Sequence, residues 1–342
     1  MADDPVIQTV ELGPQWPTVD PFLFCAHHDD SYPKGNDEMG PDASLAGRDI
    51  GMDFEGIDGW RMYHGRRVPG FPPHPHRGFE TVTYVRKGII DHADSLGAAA
   101  RFGRGDVQWL TAGGGIQHSE MFPLLDREGP NPLELFQIWL NLPAQDKLVD
   151  AYFTMFWDHD VPRVVIGDDD GPKTTVTVIA GPLGDAKPLS PPPNSWASRP
   201  DSEVAIWHIV MEPGARWEMP KAKHVDTVRA LYVFDGNDLR IDGHDATIAV
   251  DTGVVVDAQM PNVLNSERGV EILVLQGRPI GEPVARYGPF VMNTREEIIQ
   301  AVDDYQRTQF GGWPWAEEDP VHEYERGRFA RHADGRLEEV ET

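Results

Sequence analysis

Cysteine occurs once in the 342 residues, at Cys25, so no disulfide can close within the chain. That usage fits a reducing compartment and predicts a cytoplasmic protein. No apolar run approaches the roughly 20 residues needed to span a bilayer, which argues against a membrane partner. The opening Met-Ala-Asp-Asp lacks the basic-then-apolar pattern of a secretory signal, and no signal peptide is expected. Positive charge is scarce. Lys and Arg number 30 against 56 Asp and Glu, for a net charge of −26. Such a field repels phosphate backbones and argues against direct nucleic-acid binding, and its simplest use is solubility. A phosphate-cradling glycine loop is also missing, because Gly113–Gly115 has neither the Lys-Ser/Thr nor the strand–helix setting it needs.

What is abundant is glycine (34) and proline (30), the punctuation of short strands and turns. Thr81–Lys87 is β-branched and aromatic and stops at Gly88. Ile89–Asp94 stops at Ser95-Leu96-Gly97, and Gly103–Asp106 turns into Val107–Thr111. Glu134–Leu142 puts Phe136, Ile138, Leu140 and Leu142 on one face at period two. Short strands without intervening helices predict a barrel or sandwich. The second half repeats the first. Tyr84–Gly88 matches Tyr232–Gly236, and the same offset of 148 carries Gly105 to Gly253 and His76 to His224. One long repeat means two copies of a barrel rather than a solenoid. The expected division is 1–145, 146–292 and a C-terminal 293–342, with about 167–194, rich in Asp, Gly and Pro, a loop or insertion. Thr294–Glu297 has the form of a capping box. Ile298, Ile299, Val302 and Tyr305 then form an apolar docking stripe over Thr294–Gln309, and Trp313 onward reads as a charged, mobile tail.

Two histidine pairs carry the chemistry. His74-Pro75-His76 would project two imidazoles from one face of a strand, and His118-Ser119-Glu120 repeats the spacing with a carboxylate. Aimed into one barrel, they present three nitrogens and one oxygen, a donor set for iron, manganese, zinc, nickel or copper rather than magnesium or calcium. Four such ligands leave up to two octahedral positions for water, dioxygen or substrate. Glu80 competes as a ligand, since His-x-His-x3-Glu is the usual first motif of cupin barrels. The plain alternative is a solvated loop, as 13 histidines make chance pairs common. His27-His28-Asp29-Asp30 reads as structural because adjacent strand residues face opposite ways. His92 and Asp94, beside a turn, read as solvated.

Pro75–Tyr84, Gly105–Ile116 with the following His118–Met121, Phe136–Pro143, Gly277–Pro283 and Tyr287–Thr294 together resemble the pirin family. The resemblance runs from about His74 to Phe310 and leaves out 150–200 and the last thirty or so residues. It implies an all-β bicupin, two antiparallel cupin β-barrels with a short C-terminal helix, and metal only in the N-terminal barrel. The implied ligands are His74, His76, His118 and Glu120, with Glu80 not among them and iron the expected metal. Adding the repeat offset gives Ala222, Ser266 and Arg268, which cannot replace the ligands, so the second barrel reads as structural and His224 as a packed residue. Family members include flavonol-cleaving quercetin dioxygenases, so the resemblance implies a flavonol-like substrate with dioxygen. In such a reaction Glu120, a ligand that can also accept a proton, would be the catalytic base, with Glu80 its nearest rival. Eukaryotic members act as nuclear cofactors of transcription factors, which makes a non-enzymatic, metal- or redox-sensing regulator with a protein partner the alternative.

Overall fold

The computed structural model describes residues 4–340. Among them strands dominate and there is one α-helix, and no helix is long and apolar enough to cross a membrane. The chain forms two compact units. One contains the residues up to Ala26, Ile138–Asn141 and His159–Gly281, and the other His27–Gln137, Leu142–Asp158 and the chain from Glu282 onward.

In chain order the strands begin with β1 (Val6–Glu11) and β2 (Phe22–Tyr32). Then come β3 (Gly70–His76), β4 (Phe79–Lys87), β5 (Ile89–Asp94), β6 (Ala99–Gly103), β7 (Val107–Thr111), β8 (Ile116–Met121) and β9 (Asn131–Asn141). β10 (Tyr152–Phe156), β11 (Arg163–Ile166) and β12 (Thr174–Ala180) lead into β13 (Ala205–Met211) and β14 (Arg216–Met219). β15 (Val228–Gly236), β16 (Leu239–Ile241), β17 (Thr252–Asp257), β18 (Asn262–Ser266) and β19 (Val270–Gly277) follow. β20 (Ala285–Tyr287), β21 (Phe290–Met292), the helix α1 (Arg295–Thr308), β22 (Phe329–Arg331) and β23 (Leu337–Glu339) complete the chain.

The histidine-bearing unit is built on two antiparallel sheets, β10-β7-β4-β9-β2 and β23-β22-β6-β5-β8-β3. Val85, Ile90, Phe102, Leu110 and Leu135 fill its core. The other unit has sheets β1-β17-β15-β19-β13-β12-β11 and β14-β18-β16, around Val178, Trp207, Leu231, Leu264 and Ile272.

Three expectations need correction. The ends of the chain cross over the boundaries at 145 and 292. β1 pairs with β17, and β22 pairs with β6 through Phe329↔Arg101 and Arg331↔Ala99. Strand pairing is non-local, and a repeat offset carries no information about which sheet a terminus joins. Secondly, 167–194 is not all loop, because Thr174–Ala180 is a strand paired on both sides, with Val176, Val178 and Ile179 buried. The Asp, Gly and Pro on either side dominate the composition of 167–194 and mask the β-branched run within it. Thirdly, the segment after Gly312 is a folded part of the histidine-bearing unit.

The helix starts as its sequence predicts. Glu297 N donates to Thr294 Oγ1 at 3.2 Å and Thr294 N donates to Glu297 Oε2 at 2.8 Å, a complete capping box. Ile298 and Ala301 are buried with Phe290, Met292 and Phe310, and Val302 and Tyr305 pack at the rim. Ile299, however, is 53% exposed. It sits one residue, about 100° of helical turn, from Ile298, outside the stripe of i, i+3, i+4 and i+7. Ile298→Ala should therefore cost about 2–4 kcal/mol. Ile299→Ala should stay within about 0.5 kcal/mol. Equal costs in chemical denaturation would contradict this packing.

Candidate metal centre

β3 is the edge of its sheet, and its sequence explains why. Pro72, Pro73 and Pro75 have no N–H to give a second neighbour, so the strand can pair on one side only. Its partner is β8, with His74 opposite His118 and His76 opposite Ile116, after a register shift between Phe71 and His74. Alternation then places both β3 imidazoles on one face. Ring centroids lie 4.8 Å apart for His74 and His76, 4.5 Å for His74 and His118, and 4.9 Å for His76 and His118. One nitrogen from each ring falls within 4.8 Å of the others, an arrangement that could hold a metal ion.

Glu120 is on β8 but outside that 4.8 Å set. Its Oε2 is 3.9 Å from His118 Nε2, and the carboxylate accepts from Gln137 Nε2 at 2.8 Å and Thr83 Oγ1 at 3.2 Å. Glu80 is elsewhere. The β3–β4 turn runs through Gly78 at φ +85°, where a Cβ would meet the Val291 carbonyl oxygen at 2.0 Å. This turn breaks the parity that Glu80 shares with His74 on paper. On β4, Glu80 accepts from Thr111 Oγ1 at 2.7 Å, while Thr83, three residues on and of opposite parity, meets Glu120.

Electrostatics favour neutral imidazoles. His74 Nδ1 donates to the Pro72 carbonyl at 2.9 Å, which leaves its Nε2 lone pair available. Burial lowers the His74 pKa to about 4 and holds His76 and His118 well below the usual histidine range. Desolvation raises Glu120, against the pull of Thr83 and Gln137. The most telling atoms belong to His118, which is wholly buried and has no hydrogen-bond partner on either ring nitrogen. Such groups cost about 1–3 kcal/mol each when left unsatisfied, and a bound cation would relieve that cost.

A pH dependence follows. The unfolded chain takes up protons at the ordinary histidine pKa, whereas the folded His74 waits until about 4. Folding stability of chelator-treated protein should therefore fall as pH drops from about 6.5 toward 4. Glu134 and Asp304, both held near about 2, would release their stabilisation mainly at lower pH. A denaturation midpoint flat across pH 6.5 to 4 would contradict the desolvated, neutral imidazoles.

Four residues of the site were missed or misread. His92 and Asp94 are not solvated but buried, with 3.2 Å between His92 Nε2 and Asp94 Oδ2. In the ladder His92 stands opposite Glu120 and Asp94 opposite His118. Gln137 and Thr83 had one usable signal, a polar residue at alternate parity within an otherwise buried strand. His28 and Asp30 are engaged with Tyr63, and His27 with Glu134. Cys25 is buried and its thiol pKa pushed up, so it is unreactive. In the other unit Arg268 is exposed, Ser266 pairs with Leu239, and Trp217 and Leu264 pair across β14 and β18 within the apolar core.

Strand sheets in two units, one bearing histidines on paired neighbouring strands, define a protein of the cupin class with two cupin domains. The Pirin family model matches residues 5–140, and that of the Pirin C-terminal cupin domain matches 206–311. A Pseudomonas aeruginosa protein named "Putative quercetin 2,3-dioxygenase" is 39% identical over 242 residues, 70% of this chain and 79% of its own length. Human pirin is 33% identical over 254 residues, 73% of this chain and 80% of its own. The crystal structure of a quercetin 2,3-dioxygenase from Acinetobacter baumannii superposes with a TM-score of 0.71 at 25% identity, covering 91% of this chain and 99% of that one. The chain belongs to the pirin family.

Proposed function

We propose that this chain is a metal-dependent dioxygenase that cleaves a flavonol-like substrate with dioxygen, as the names of its relatives suggest. His74, His76, His118 and Glu120 would hold one transition-metal ion, iron first, with manganese, zinc, nickel or copper compatible with the same donors. The observation that carries the reading is His118, wholly buried with both ring nitrogens unpartnered beside two further neutral imidazoles. When bound, the ion would supply Lewis acidity and a path for electrons between substrate and oxygen.

The rest is the work of the chain. Pro72 fixes the tautomer of His74, and the β3–β8 pairing fixes the ring directions. Gln137 and Thr83 hold the Glu120 carboxylate in place, where one oxygen can accept the proton of a substrate hydroxyl. A flavonol must lose that proton before it donates electrons.

Protein purified without added metal should contain about one transition-metal ion per chain by elemental analysis. His74→Ala or His118→Ala should empty the site, and His224→Ala should leave the content unchanged. Two ions per chain, or metal retained after either of the first two changes, would sink the assignment. Loaded protein should consume oxygen with quercetin. Without oxygen uptake, a metal- or redox-sensing regulator acting through protein partners becomes the better description.

A further inference from the structure

Exposure marks one side of the histidine cluster as its entrance. His76 and His118 are buried, whereas His74 is half-buried, as is Phe71 on the same strand. Phe71 meets three imidazoles edge-on, His74 at 6.3 Å and His28 and His64 each at 5.8 Å between centroids. Phe54, 45% exposed, lies beyond, 5.1 Å from His64. The entrance is therefore aromatic, and no step described so far uses His28 or His64.

Both of these rings are fixed in one tautomer. Arg61 pairs with Asp30 at 3.0 Å, and the Tyr63 hydroxyl donates to Asp30 Oδ2 at 2.6 Å. With its only hydrogen committed, the Tyr63 oxygen can only accept, so the 2.8 Å contact makes His28 Nδ1 the donor. His64 Nδ1 likewise donates to the Gly51 carbonyl at 2.8 Å. A neutral imidazole protonated on Nδ1 carries a bare lone pair on Nε2. Burial keeps His28 neutral, with a pKa lowered to about 3. Among the described residues no protein donor occupies either Nε2. The nearby Arg61 is already committed to Asp30, and what the structure places at the entrance is acceptors and aromatic edges.

We infer that Phe71, His28 and His64 form a recognition site for a second, hydroxylated aromatic ring of a ligand whose first ring lies at His74, the two Nε2 atoms accepting from phenolic hydroxyls. This rests on the flavonol reading above. Edge-to-face contact with Phe71 selects a planar ring. A ring that lacks hydroxyl donors leaves the two acceptors unpaired, which a polar site penalises more than an apolar pocket does.

The test compares two flavonols under nitrogen, so that no turnover occurs, by tryptophan quenching of the metal-loaded full-length protein. Quercetin has two hydroxyls on its outer ring, and galangin has none there. Wild type should bind quercetin about tenfold more tightly than galangin, the size of one or two neutral hydrogen bonds. His28→Phe and His64→Phe should each weaken quercetin several-fold, leave galangin affinity and metal content unchanged, and lower the melting temperature only by the few degrees that one lost hydrogen bond costs. His28→Gln, which returns an acceptor near the Nε2 position, should recover part of the loss. Equal affinity for the two flavonols in wild type overturns this inference alone. Binding neither overturns the flavonol reading and this inference with it. A lower metal content in His64→Phe would mean that these rings hold an ion instead, and would also overturn it.

Discussion

Truncation after Gly312 should lower the melting temperature by roughly 10 °C or more, because the removed segment is part of a sheet rather than a loose end. β22 extends the sheet at β6, with Phe329 and Ala330 buried. Trp315 Nε1 donates to the Asp94 carbonyl at 2.8 Å, and His332 stacks on Phe153 at 4.8 Å. The tightest link is Arg101, which is buried. Its guanidinium forms two 2.7 Å bonds with Asp91 and donates to the carbonyls of His322, Glu323 and Arg326 at 3.1, 2.9 and 2.7 Å. Burial of Phe329 alone is worth about 1.5–3 kcal/mol. Hydrogen bonds to a charged group add about 1.5–3 kcal/mol apiece at most. A net loss of about 5 kcal/mol is a fair expectation, and for a unit of this size each kcal/mol moves the midpoint by about 2–4 °C. Arg101→Ala should cost about 3–5 kcal/mol in the full chain, since it leaves the Asp91 charge buried without its partner. Thermal unfolding by circular dichroism checks both. A truncation that shifts the midpoint by less than about 2 °C would return the segment to the status of a tail.

The sequence beyond Gly312 is charged, which is why it reads as mobile. What organises it is a long-range pairing that no local pattern announces. Elsewhere local pattern was enough. Ile89–Asp94 and Val107–Thr111 form strands with the boundaries their turn residues predict, and Thr294 caps the helix. Within the site, period-two spacing made His74 with His76 and His118 with Glu120 visible, since each pair lies on one strand. Contributions from other strands were not visible. Thr83, Gln137 and His92 reach Glu120 or stand opposite it only through register, and β4 and β5 are buried almost throughout. On such strands polar residues interrupt the apolar pattern, and the same signal that marks an inward-facing group looks like exposure. For His92 and Asp94 the neighbouring turn at Ser95-Leu96-Gly97 reinforces that reading, although both side chains are buried. The Glu80 question had the same origin, a parity count carried through a glycine turn that resets it.

Glu120→Gln should reduce flavonol turnover by about 100- to 10,000-fold, the usual range for removal of a general base. The substitution keeps the side-chain length and one oxygen, so part of the metal affinity should survive. The surroundings sharpen the contrast. Gln137 Nε2 donates to Glu120 Oε2 at 2.8 Å, and Thr83 Oγ1 reaches both Glu120 Oε1 at 3.2 Å and Gln137 Oε1 at 2.5 Å. An amide in place of the carboxylate can still accept one of these bonds, so the fold should tolerate it. What it cannot do is take a proton at neutral pH. Metal-normalised rates for wild type, Glu120→Gln and His118→Ala, followed by flavonol absorbance and oxygen uptake together, separate the roles. His118→Ala should lose metal and rate in parallel, whereas Glu120→Gln should lose rate far beyond its loss of metal. Gln137→Leu supplies the third comparison, because it removes a hydrogen bond that orients the carboxylate and no ligand. It should lower the rate by a smaller factor with metal content intact. Full activity in Glu120→Gln would reduce Glu120 to a ligand at most. Glu80, whose carboxylate accepts from Thr111 Oγ1, would then be the rival base, and a parallel Glu80→Gln variant would show that directly as a matching loss of rate.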